Sequence, residues 1–169
     1  MAQNNFNDLE ALEIAIQIEN RGHTFYSKAA HLATSDGVRE MLEKLAEQEL
    51  DHASAFQKIY NELSQRKDSL DDTYLYDPEV SAYLKAMAES TIFPSDDYLN
   101  EFIDGLKDIS DVLKIGIQAE KDSILFYAEM IINARYVEAK EAFRRLLKEE
   151  KKHLIDLQRS LDEYKSKPL

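Results

Sequence analysis

Apolar residues recur along the chain at three- and four-residue steps in four long stretches, the signature of helices that each bury one face. The first helix is predicted over residues 7–34, with Asn7 as N-cap and Glu10 at the spacing of a capping box. Its inward stripe is Leu9, Leu12, Ile16, His23, Tyr26 and Ala30. Ser35-Asp36-Gly37 is expected to break the helix, with Gly37 in a tight turn. A second helix follows over 38–65, its stripe running through Met41/Leu42, Leu45, Phe56, Ile59 and Leu63. The third is predicted from the cap Asp108 to Tyr136, with Ile115, Ala119, Ser123, Tyr127 and Ile131 inward, and the fourth over 137–164, with Phe143, Leu146, Leu157 and Leu161 inward.

Between the second and third helices the periodicity lapses. Residues 68–77 are polar and acidic, Pro78 opens a short helix to about Ser90, and Pro94 closes that element. Ser95-Asp96-Asp97 is expected to cap a further short stretch to Ile103, with Gly105 as punctuation. Asp68, Asp71 and Asp72 lack the glycine and terminal glutamate of a calcium loop, so a solvated acidic loop is expected there. The chain thus reads as one all-α domain: a hairpin over 7–65, a crossover over 66–107 and a second hairpin over 108–165.

Six polar residues interrupt the inward stripes: Glu19, Glu49, His52, Glu120, Glu150 and His153. An unpaired carboxylate on a buried face costs several kcal/mol, so each requires a partner. Their arrangement repeats. Glu49-x-x-His52 recurs as Glu150-x-x-His153 at an offset of 101 (153 − 52), and the same offset carries Glu19 onto Glu120 and Tyr26 onto Tyr127 without gaps. The chain is therefore expected to be a duplicated helical hairpin, two copies forming a four-helix bundle about a pseudo-two-fold axis.

Four carboxylates converging on an apolar core would repel one another unless cations neutralise them, and two divalent metals do so. Carboxylate and imidazole donors without thiolate suit iron or manganese. The spacing predicts Glu19 and His52 on one ion, Glu120 and His153 on the other, and Glu49 and Glu150 bridging both. Tyr26 and Tyr127, seven residues after the first-helix glutamates, are placed to hydrogen-bond those carboxylates from outside the ligand set. His23 is expected at the core or rim, since its repeat partner is Ile124, and His31 at the surface. Glu47, Asp51, Asp122 and Glu149 adjoin the ligands but are expected to point elsewhere on the helical wheel. Gly22 and Gly116 lie inside helices at a cost of about 1 kcal/mol each relative to Ala, which points to close packing there.

Composition removes competing readings. The net charge of −12, with no basic stripe, argues against a nucleic-acid or anionic-membrane partner. The absence of cysteine excludes thiolate metal sites, iron–sulfur centres and disulfides within these residues. No apolar run approaches the roughly 18 residues needed to span a bilayer, and residues 1–8 lack a signal pattern, so the cytoplasm is the expected location.

With Glu19, Glu49-x-x-His52, Glu120 and Glu150-x-x-His153 in this order, the chain resembles the ferritin-like di-iron carboxylate superfamily and, within it, the rubrerythrin family. The resemblance implies a ferritin-like four-helix bundle, a di-iron centre that reduces hydrogen peroxide or reacts with oxygen, and a homodimer. Rubrerythrins proper carry a rubredoxin domain with four cysteines; this cysteine-free sequence has no counterpart, so a separate electron-donor protein such as a rubredoxin is expected. Typical rubrerythrins also have a glutamate three residues after the third-helix ligand, where this chain has Ser123, and the six remaining ligands equally resemble bacterioferritin-type oxidase centres. Ferrous-iron oxidation with storage or detoxification, and a non-catalytic metal-binding bundle, stand as the alternatives.

Overall fold

The structure, a computed structural model, describes residues 5–66, 75–89, 93, 100–101, 103–105 and 108–167. Among these residues the chain is all-helical: α1 (Asp8–Ala30), α2 (Asp36–Ser64), α3 (Pro78–Glu89), α4 (Ile109–Asn133) and α5 (Val137–Ser166). α1 packs along α2 and α4 along α5, and the two hairpins meet mainly through α2 and α5. The acidic loop at Asp68, Asp71 and Asp72, the stop at Pro94 and the cap at Ser95-Asp96-Asp97 lie outside the described residues. Beyond them, the Gly105 N–H donates to Glu101 O at 3.1 Å, closing a helical turn.

The predicted capping box is present at α1. Asn7 accepts from the Glu10 N–H at 3.1 Å, and Glu10 Oε2 accepts from the Asn7 N–H at 2.9 Å. The helix ends earlier than expected, because residues 31–33 tighten into i→i−3 hydrogen bonds. Gly37 is not the turn residue. Ser35 takes the extended N-cap conformation, and Asp36 and Gly37 form the first turn of α2, where Asp36 faces the positive end of the helix dipole. α3 starts at Pro78, as proline at a first helical position predicts.

The stripe of α1 is rotated from its predicted position. Leu9, Ile16 and His23 sit half-buried on the shoulder, while Ala11, Ala15, Ile18, Gly22 and Phe25 are buried with Leu12, Glu19 and Tyr26. A seven-residue spacing drifts around an α-helix, and the small residues let α1 approach its neighbours closely. On α5 every predicted inward residue, from Phe143 to Leu161, is buried. One further buried carboxylate holds the end of the bundle together. Asp8 accepts from the Tyr76 hydroxyl at 2.5 Å, from the Arg135 N–H at 2.9 Å and from the Tyr136 N–H at 2.8 Å, joining the start of α1 to the crossover and to the α4–α5 turn. With burial and the Asp8 charge both acting, the Tyr76 phenol is held well above its ordinary range.

Candidate metal centre

The one-sided apolar stripes aim Glu19 from α1, Glu49 and His52 from α2, Glu120 from α4 and Glu150 and His153 from α5 at a single point in the core. None of the six is more than 3% exposed. Their donor atoms fall into two groups, each with all atoms within 4.8 Å of one another: Glu19, Glu49, His52 and Glu150, and Glu49, Glu120, Glu150 and His153. Glu49 and Glu150 belong to both groups. The imidazoles stack with centroids 5.3 Å apart and planes at 12°.

Both rings face the centre through Nδ1. His52 Nδ1 lies 2.8 Å from Glu150 Oε1 and 3.3 Å from Glu19 Oε2, and His153 Nδ1 lies 3.0 Å from Glu49 Oε1 and 3.3 Å from Glu150 Oε2. Yet Glu49 Oε1, Glu120 Oε2, Glu150 Oε1 and His153 Nδ1 make no aligned hydrogen bond, although all are buried. Groups this close but misaligned have lone pairs converging on a shared point rather than on one another. Orphaned buried polar atoms are costly, and a cation at that point would satisfy them. Four carboxylates and two neutral imidazoles, with no sulfur, fit a pair of divalent ions of the iron or manganese kind.

The electrostatics agree. Burial, followed by the charge of neighbouring carboxylates, holds the carboxyls of Glu19, Glu49 and Glu120 above their ordinary range. At Glu150 burial also pushes upward, but the close approach of the His153 and His52 imidazoles outweighs it and leaves this carboxyl below the usual range. Burial lowers His52, but the adjacent Glu150 and Glu19 carboxylates overcome it, and the imidazole is pushed up to about 10. Without metal, the site partly neutralises itself by sharing protons.

The two tyrosines reach across the bundle. The Tyr26 hydroxyl donates to Glu120 Oε1 at 2.5 Å, and the Tyr127 hydroxyl donates to Glu19 Oε1, so each binds the first-helix-type glutamate of the opposite hairpin. Burial, reinforced by those carboxylates, pushes both phenols far above their ordinary range, so they remain protonated donors. Aromatic rings wall the site. Tyr26 packs at 5.4 Å from Phe25 and 5.6 Å from Phe93 of the crossover, and Tyr127 at 5.5 Å from Phe56 and 5.6 Å from Phe143.

The small residues have specific tasks. A Cβ at Gly22 would stand 2.6 Å from Glu49 Oε2, and one at Gly116 would stand 3.2 Å from the Tyr26 ring and 3.3 Å from Leu157. His23 is half-buried and outside both ligand groups, its Nδ1 2.7 Å from the Ala46 carbonyl of α2. His31 is exposed, and Ser123 is buried within the core near Glu120 on the same helix. Glu149 does not point away from the site as the helical wheel implies: its Oε2 lies 2.8 Å from His52 Nε2. That contact runs between hairpins, so no pattern within one helix could have disclosed it.

An antiparallel bundle holding a buried four-carboxylate, two-histidine cluster defines the ferritin-like class of binuclear carboxylate metal proteins. Within that class the chain belongs to the rubrerythrin family, whose profile matches residues 10–161. No curated protein matches the chain. Among solved structures it is similar to a Thermotoga maritima protein described as ferritin-like and diiron-carboxylate, at 24% identity and a TM-score of 0.71, over 95% of this chain and 97% of that one. A hypothetical protein from Pyrococcus furiosus is similar at 20% identity and a TM-score of 0.65, over 93% and 89% of the two chains. Among the described residues no helix is long and apolar enough to cross a membrane.

Proposed function

We propose that this chain is a di-iron oxidoreductase that reduces hydrogen peroxide or dioxygen with electrons from a separate donor protein such as a rubredoxin. The observation that carries the proposal is the sharing of Glu49 and Glu150 between two ligand groups, which suits two ions held side by side. When bound, a redox-active metal pair supplies the two electrons that cleavage of a peroxide O–O bond consumes. Glu19 with His52 would hold one ion and Glu120 with His153 the other, with Glu49 and Glu150 available to both. The Tyr26 and Tyr127 hydroxyls keep a proton against Glu120 Oε1 and Glu19 Oε1, which orients those carboxylates. Phe25, Phe93, Phe56 and Phe143 exclude water, so charge interactions inside the site are strong. The protein acts in this reading as a cytoplasmic homodimer.

The test is peroxide-dependent oxidation of a reduced rubredoxin by iron-reconstituted protein. Turnover is expected in the natural sequence and its loss in Glu49→Ala and Glu150→Ala. Turnover unchanged in both variants would overturn the proposal.

A further inference from the structure

The two imidazoles present the same atom to the centre and differ on their outer side. His52 Nε2 lies 2.8 Å from Glu149 Oε2, a carboxylate supplied by the opposite hairpin. His153 Nε2 is buried and makes no hydrogen bond among the described residues. The repeat puts Gln48 (149 − 101) at the position matching Glu149, so the second imidazole has no carboxylate at the corresponding place.

An imidazole that binds a metal through Nδ1 carries its proton on Nε2. A carboxylate accepting that proton fixes the tautomer and the ring plane, and it makes Nδ1 a stronger electron donor. From this juxtaposition we infer that Glu149 makes the two metal positions unequal: the position formed by Glu19, Glu49, His52 and Glu150 binds its divalent cation more tightly and fills first. Glu149 is a positioning residue that acts through His52. The inference rests on the dinuclear reading of the centre. The Glu149 side chain is 36% exposed, so shortening it leaves no cavity in the core.

Anaerobic titration of metal-free protein with cobalt(II), read by visible absorption against a competing chelator, tests this. Two steps per chain are expected, separated by about tenfold or more. Glu149→Ala is expected to weaken the first step by about 10–100-fold and to leave the second unchanged, the range seen when a partner of a ligating histidine is lost. Glu149→Gln keeps an acceptor without the charge and should fall between the two, while both metal-free variants should still unfold in one cooperative thermal transition, as a folded bundle does. Equal steps in the natural sequence, or a first step unaltered in Glu149→Ala, would overturn the inference and leave the dinuclear reading standing. Failure to take up cobalt in any step would remove both.

Discussion

The two hairpins carry the same six-residue frame and diverge immediately around it. Glu19, Glu49 and His52 map onto Glu120, Glu150 and His153, but Gly22 maps onto Ser123, Gln48 onto Glu149 and Asp8 onto Ile109. The aromatic wall differs too. Phe56 and Phe143 flank Tyr127, and the matching positions around Tyr26 are Leu157 and Leu42. Phe93 from the crossover fills that smaller side, stacking edge-on against Tyr26 at 80°. Ligand positions must match, because both hairpins contribute to both ligand groups and a shift in one would disturb two ions. Positions one step out each bear on a single ligand or ring, as Glu149 does on His52 and Gly22 on Glu49, so the two hairpins can differ there while the six-residue frame stays matched. The crossover is thus part of the wall of the metal centre as well as a connection.

The largest effects should come from the ligands, and they should separate shared from outer ones. Glu49→Ala and Glu150→Ala are expected to weaken both metal-binding steps beyond the ~10–100-fold typical of changes outside the ligand set. Glu19→Ala should abolish one step and Glu120→Ala the other, read as metal retained per chain after gel filtration. Equal losses in all four variants would contradict the shared role of Glu49 and Glu150.

Next in size is the wall. Phe93→Ala empties a buried aromatic site and should destabilise the metal-free protein by about 3–5 kcal/mol in denaturant unfolding. A cost below about 1 kcal/mol, the level of an ordinary surface change, would mean that the crossover does not seal the Tyr26 side.

The Gly22 and Ser123 pair offers a smaller contrast. Gly22→Ala drives a methyl into Glu49 Oε2 and Phe93, and overpacking of about 1–3 kcal/mol should exceed the helix-propensity gain of about 1 kcal/mol. Metal affinity should fall with it by about tenfold, because the displaced group is a ligand. Ser123 is buried and Ser123→Ala removes only its hydroxyl, so the variant should stay within about 1 kcal/mol of the natural protein.

Acidity gives the mildest contrast, between the metal-free and loaded states. The raised carboxyls of Glu19, Glu49 and Glu120 favour the folded state when protonated, a contribution lost as pH rises through their folded values. His52, raised from 6.5 to about 10, contributes stability below pH 6.5 that disappears toward pH 10. Glu150 is lowered, so its opposing contribution is lost only in acid. The melting temperature of metal-free protein should therefore rise between pH 10 and pH 6.5. The loaded protein should show the reverse trend, because protons compete with metal for the same ligands.

Much of this was legible in the sequence because helix period and repeat are strong, independent signals. Glu19, Glu49, His52, Glu120, Glu150 and His153 stood out as polar residues at apolar positions, doubled at one offset, and the structure brings these six together. The belonging of the chain to the rubrerythrin family and its all-helical bundle followed from the same residues. What stayed hidden depends on contacts between elements. Glu149 lies off the stripe of α5 and meets His52 only after the hairpins pack. Asp8 looks like an ordinary first-turn acid until Tyr76 and the α4–α5 turn close over it. Phe93 lies in a segment without periodicity, and the start of α2 was misplaced because Gly37 signals a turn as readily as an exposed helical residue.

The claim at the centre of this account is that duplicated ligands hold two ions through two shared carboxylates. Anaerobic titration of metal-free protein with ferrous iron, counted by metal analysis after gel filtration, addresses it directly. The expected result is uptake saturating at two ions per chain. Saturation at one ion, or no retained iron, would contradict it.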